Sequence, residues 1–327
     1  MRGSTTLPRV LALLLVAVVV FTLPAWVGDY WTRIFTGVWM WAGLALAWNI
    51  IGGYAGYVSF GHAAFFGLGA YTTALLMQPE RHWNFFLTLP IAAAVAAVVA
   101  AIVGWPTLKL RGAYFAIATW ALAAAVAQLV NVADFTGGSY GLTLPVQPST
   151  SYFFYVMLVA AIVAYAIAYL LLERSRFGYK VKAVRDNEAA AESVGINTTL
   201  VKNEAFVISA VIPAVFGGIN AYWITFINPP SVLSTDITDQ MVVMALIGGL
   251  GHPWGPALGA AALYIVNRQF LAAFGDTTSY IAMVGALVAL VVVFLPDGLA
   301  SLWPATRRLR LVRQLIPVGQ DERPRGA

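Results

Sequence analysis

From Val10 to Phe294 the chain is a series of apolar runs separated by short polar intervals. Runs of about 20 residues match the hydrocarbon thickness of a bilayer when coiled as helices. Inside lipid a helix satisfies all of its own backbone N–H and C=O groups, so the pattern leaves few alternatives. The spans read as Val10 to Val27, Ile34 to Ile51, Ala63 to Met77, Phe85 to Leu108, Ala113 to Val132 and Tyr152 to Leu172. They continue with Ala205 to Thr225, the short piece Gln240 to Leu246, Ala257 to Phe274 and Tyr280 to Phe294. The expected fold is all-α: a polytopic membrane protein of about ten transmembrane helices, with residues 1–327 forming a single transmembrane domain.

Composition agrees. Of 327 residues, 60% are hydrophobic and 10% charged, where a soluble globular chain has about a quarter charged. The absence of cysteine excludes disulfides, thiol catalysis and Cys-based metal sites. A net charge of +5 is too small to suggest nucleic acid.

Where the charges sit sets the orientation. Arg2 and Arg9, Lys109 and Arg111, the interval 173–202 and the tail 303–327 hold the clusters of Lys and Arg. Ten spans put all of these on the cytoplasmic side, with both termini, and leave Arg33 and Arg81 outside as singletons. A basic start before an apolar run also fits a signal peptide. An uncleaved first helix is the preferred reading, because no small-x-small site follows.

Two glycine-rich breaks interrupt the spans. One runs from Ile51-Gly52-Gly53 through Ser59 to Gly61-His62; the other runs from Ile247-Gly248-Gly249 to Gly251-His252. They lie at comparable places in the two halves and suggest an internal repeat. Non-helical backbone at membrane depth must be buried or line a cavity. Paired breaks of this kind point to a translocation path, here Gly53, Ser59, Gly61, His62, Gly249 and Gly251. Close helix packing is the other reading, and the two are compatible. For His62 and His252, a structural histidine bonded to backbone in a glycine turn outweighs a solute ligand. The cores of the spans hold almost no Asp or Glu, which argues against proton coupling and against charged-ring selectivity.

The longest polar interval, Glu173 to Lys202, carries charges of both signs. Within it Val181 to Val194 can form a helix: Ala189, Ala190 and Ala191 are strong helix formers, and Asp186-Asn187-Glu188 is an acidic start. Gly195 stops it, and Thr198 or Thr199 is a plausible cap for the next helix. An alanine face flanked by charges suits docking to a partner; a solvated loop without a partner is the commoner fate of such a stretch. No phosphate-binding loop, zinc-binding histidine pair or nucleophile elbow is present, so the chain is not expected to be an enzyme.

Glu188-Ala189-Ala190 followed by Gly195 resembles the EAA loop of ABC importer permeases, with a spacing about one residue from the usual pattern. Lys109 to Thr119, Thr136-Gly137-Gly138, Val194 to Asn197, Ala205 to Ala210, Gly248 to Gly251 with Trp254-Gly255-Pro256, and Pro296 to Leu299 complete an ordered set. That set resembles the branched-chain amino acid permease family, in its LivM-type subunit, from about Gly43 to Leu302. The resemblance implies a type II ABC importer permease fold in a bacterial inner membrane. It implies a LivH-type second permease subunit, two ATP-binding cassette subunits and a periplasmic or lipid-anchored solute-binding protein as partners, within membrane lipid. ATP and Mg would be held by the partner ATPase, and no cofactor by this chain. Arg185, Glu188, Ala189, Ala190, Ala191 and Gly195 would couple to the ATPase, with Val181 to Val194 moving as a rigid lever. Thr136, Gly137 and Gly138 would contact the binding protein, or form only an exposed turn. Branched-chain or other hydrophobic amino acids lead as solute; urea, short amides and aromatic acids follow. A membrane scaffold and a passive channel are the readings of other classes.

Overall fold

The computed structural model describes residues 18–275, 278–295 and 298–302. Of the first expected span, residues 18–26 are helical; Val10 to residue 17 and the tail 303–327 lie outside the described residues. The helices that follow are α1 (Asp29–Asn49), α2 (His62–Leu76), α3 (Phe85–Thr107), α4 (Ala113–Val132) and α5 (Thr150–Glu173). After these come α6 (Arg176–Asp186), α7 (Glu188–Ser193), α8 (Thr198–Ile224), the single turn α9 (Pro229–Val232), α10 (Thr235–Gly248), α11 (Gly255–Phe274) and α12 (Thr278–Phe294). Two short strands, β1 (Leu142–Thr143) and β2 (Phe226–Ile227), pair antiparallel and tie the interval after α4 to the interval after α8.

Among the described residues six helical stretches are long and apolar enough to cross a membrane. Helices α2, α10 and α12 have only 15, 14 and 17 residues. At 1.5 Å per residue, α2 and α10 reach only ~21–22 Å, short of a ~30 Å hydrocarbon core. Both adjoin a glycine break: α2 follows the first and α10 precedes the second.

Most helices begin at a side-chain cap. Asn84, Ser149, Ser175, Asn187, Asn197, Asn228 and Ser234 each accept a hydrogen bond from an amide of the first turn. The cap of α8 is therefore Asn197, not Thr198 or Thr199. An asparagine carbonyl reaches the N3 amide as well as a threonine hydroxyl does, and Asn197 lies one residue earlier.

The centre of the bundle is α1 and α8. In their most apolar stretches 89% and 72% of residues are buried, against 22% in α3, α4 and α11. Small residues bring the helices together. In α3 the stripe Thr88, Ala92, Ala96, Ala100 and Gly104 is buried at a four-residue spacing. Gly104 meets Asn203 and Phe206 of α8. Between α2 and α8 the backbones themselves touch: a Cβ on Gly69 would strike the Ala214 carbonyl, and one on Gly217 the Phe66 carbonyl. Between apolar helices in lipid, such close van der Waals contact is the main attraction available.

Candidate functional site: the loop, the breaks and the cavities

The interval 173–202 is two helices rather than one. The expected helix Val181 to Val194 breaks at Asn187, whose backbone is extended at φ −161°. Asn187 ends α6 and caps α7 by accepting from the Ala190 amide at 3.0 Å. Asn and Asp favour this because their side chains compete with the helical backbone for hydrogen bonds. Gly195 then turns the chain at φ +85°, as its position predicts.

The loop is pinned to the bundle by charge. Lys202, in the first turns of α8, is 3% exposed. Its ammonium donates to Glu188 Oε1 at 2.6 Å, the Leu108 carbonyl at 3.0 Å and the Tyr57 hydroxyl at 3.2 Å, so all three N–H groups have acceptors. The Tyr57 hydroxyl donates in turn to Glu188 Oε2 at 3.0 Å, and Arg111 lies 3.5 Å from the same oxygen. Burial pushes the Glu188 carboxyl up, but the bonds from Lys202 and Tyr57 and the charges of Lys202 and Arg111 outweigh it and hold the group below its ordinary value. Nearby, Glu173 accepts from the Tyr54 hydroxyl at 2.8 Å and from Lys182 at 2.9 Å.

Of the six residues expected to meet an ATPase, Ala189, Ala190 and Gly195 are exposed and Ala191 is buried. Glu188 faces the bundle, and Arg185 reaches past the loop. Its guanidinium donates to the Gly53 carbonyl at 3.1 Å and pairs with Asp186 at 3.1 Å.

Gly53 belongs to the first break. Residues Ile50–Tyr54 widen into a π turn, with the Ala55 amide donating five residues back to Ile50. The chain then runs irregularly to Gly61, and several side chains around it serve that backbone. Thr119 Oγ1 accepts from Phe60 N at 3.0 Å, Ser59 Oγ from Gly61 N at 3.3 Å and Thr238 Oγ1 from Ala63 N at 2.8 Å. Trp48 Nε1 donates to the Ser59 carbonyl at 2.8 Å. Broken backbone in an apolar interior needs such partners, and neighbouring elements supply them.

The two breaks meet. Asn49, fully buried at the end of α1, accepts from the Gly251 amide at 2.9 Å and donates to the His252 carbonyl at 3.1 Å. A Cβ on Gly53 would strike the Gly251 amide nitrogen, so the segments cross backbone to backbone. Gly53, Ser59, Gly61, His62 and Gly249 are buried and Gly251 is half-buried. His62 sits edge-on to Phe65 and Phe206, and neither ring nitrogen has a hydrogen-bond partner among the described residues. The backbone bond expected for it is not there: its surroundings are aromatic rings, which offer no acceptor in the ring plane.

Two larger spaces flank this junction. One, about 790 Å³, lies between the first break and the loop and is lined by Tyr57, Arg111, Arg185, Asp186, Asn187 and Glu188 among others. The other, about 870 Å³, opens at the far end of the bundle, where α1 begins and α8 and α11 end. Its lining includes Arg33, Trp41, Leu44, Asn220, Trp223 and Arg268, and none of the six break residues expected on a path. Thr136, Gly137 and Gly138 also lie at that far end. Thr136 is turned inward, its hydroxyl bonded to the Val130 and Ala133 carbonyls, while Phe135 and Tyr140 are exposed.

Over residues 30–295 the sequence matches the family described as branched-chain amino acid transport system / permease component. The chain belongs to this family. The permease is similar to the high-affinity branched-chain amino acid transport system permease protein LivM of Salmonella typhimurium and of Escherichia coli. Each is 30% identical over 298 residues, covering 81% of this chain and 68% of the relative. It is also similar to LivH of Escherichia coli, 24% identical over 296 residues, covering 82% of this chain and 94% of the relative. No solved structure matches.

Sequence reasoning gave no role to three residues that hold this arrangement together: Asn49, Tyr57 and Lys202. Asn49 and Lys202 carried a signal, as a lone amide in an apolar run and a lone cation at the mouth of one. Neither reveals all its partners: Asn49 and Gly251 are 202 positions apart, and Lys202 reaches the Leu108 carbonyl across 94.

Proposed function

We propose that this chain is one permease subunit of an ATP-driven importer for branched-chain or other hydrophobic amino acids. A second, LivH-like permease, two ATPase subunits that hold ATP and Mg, and an external solute-binding protein complete the assembly in a bacterial inner membrane. The interval 173–202 and both termini face the cytoplasm, and the count of about ten spans includes α2 and α10 as short, protein-buried members.

One observation carries this reading: the loop that exposes Ala189 and Ala190 is bonded directly to the break in α1 through Arg185 and Gly53. A partner pressing on the alanine face moves α7, whose Glu188 is locked to Lys202, and α6, whose Arg185 holds Gly53. Gly53 lies against Gly251, which Asn49 holds in place, so both breaks receive the displacement. A scaffold would need no such linkage. The test is ATP-dependent accumulation of radiolabelled leucine in liposomes holding the whole assembly, with urea in parallel. Leucine accumulation supports the reading. Urea alone overturns the solute, and uptake of either without ATP makes the protein a passive channel.

A further inference from the structure

The cavity at the far end has a built-in charge imbalance. Arg33 of α1 and Arg268 of α11 both line it, and among the described residues no Asp or Glu does. No carboxylate pairs with either guanidinium among the described residues. Two exposed cations at the end of a bundle away from the basic loop run against the usual charge bias of membrane proteins.

Their placement is set by one contact. Tyr264 of α11 packs against Gly37 of α1, where a Cβ would strike the phenol end of the ring. Arg33 is one turn outward from Gly37, and Arg268 is one turn outward from Tyr264, because the two helices run in opposite directions. Residues four apart lie on one helix face, so both arginines flank the same mouth. The Arg268 guanidinium rests over the Tyr264 ring at 5.1 Å, which limits its rotamers. Deeper in, the wall turns apolar with Trp41, Leu44 and Phe66, and Asn220 is the inner amide.

We propose that this cavity is a binding site for the carboxylate of the solute. Arg33 and Arg268 hold the carboxylate at the mouth, and the apolar lining beside them, Ile34, Trp223 and Ile224, takes the aliphatic side chain. Guanidinium forks match a carboxylate in shape and charge, and an unneutralised pair raises the local concentration of anions. The inference rests on the amino-acid import reading and sharpens it: the cavity selects against urea and neutral amides.

The experiment uses the chain's lack of native cysteine. Gln147→Cys, on the cavity lining, is labelled with a small maleimide in the intact transporter in liposomes, without ATP. Leucine should slow labelling on the order of fivefold, and leucinamide, which lacks the carboxylate, should not. Arg33→Gln with Arg268→Gln should abolish protection, and the two Lys variants should keep part of it. Equal protection by leucine and leucinamide, or protection that survives both Gln changes, overturns the site. Leucine uptake measured on the same liposomes separates the two readings. Uptake without carboxylate-dependent protection sinks the cavity site alone; protection without ATP-dependent uptake sinks the importer reading and leaves a carboxylate site.

Discussion

Arg185, in the polar loop, donates to the carbonyl of Gly53, inside the first glycine break, at 3.1 Å across 132 positions of sequence. The break leaves that carbonyl without its helical partner, and the loop supplies one. Arg185→Ala should cut this direct bond between loop and break. We expect uptake to fall at least about tenfold with ATP hydrolysis retained, since a bond to a charged donor contributes roughly 1.5–3 kcal/mol. Unchanged uptake would remove Arg185 from the coupling route.

Ala190 is exposed on α7, and its small size leaves room for a partner to approach. Ala190→Glu should leave the protein inserted in the membrane while lowering transport per ATP hydrolysed. Transport and hydrolysis at wild-type ratio would show that this face is not the docking surface.

Lys202 is the buried half of the anchor that holds α7. Lys202→Met should remove the buried partner of Glu188, leaving it only Tyr57 and Arg111, and cost about 3 kcal/mol. Thermal unfolding in detergent should show the loss, and adding Glu188→Gln should restore part of it. If the double variant is as unstable as the sum of the single changes, the pair is not coupled.

The same anchor predicts a pH dependence. Glu188 in the fold lies below its ordinary value of 4.5. Its contribution is therefore fully present above that value and is lost as the pH falls through the depressed one. A spin label at Ser193→Cys should stay immobile as the pH falls from neutral past 4.5 and loosen only below it. Loosening above that point, or the same profile in Glu188→Gln, would assign the pH response to another group.

Gly217 permits the backbone contact between α8 and α2. Gly217→Val should separate the helices and cost roughly 1–3 kcal/mol or more by overpacking, read as reduced yield of folded protein. Normal yield and stability would mean the interface yields more readily than its geometry indicates.

Much of the architecture was legible because the bilayer enforces it. Apolar runs of the right length must be helices, and nine of the ten expected spans fall on described helices, with the tenth only partly described. The breaks were legible too, since Gly-Gly pairs inside apolar runs cannot pass for ordinary helix. The loop was read as one helix because three alanines outweighed a single Asn187, whose capping geometry no propensity reveals.

What the sequence determined alone is the list of long apolar helices and the breaks. These follow from local chemistry: burial of backbone polar groups in lipid and the period of each run. Only the tertiary structure decided which helices are central. Lipid and protein interior are both apolar, so α1, largely buried, and α3, largely exposed, both read simply as spans. It also decided that Asn49 joins both breaks, that Lys202 holds Glu188, and that Arg33 and Arg268 flank one cavity. The first and last of these join residues far apart in the chain, and their pairing comes from where small residues let helices touch; Lys202 and Glu188, 14 positions apart, meet across the turn at Gly195.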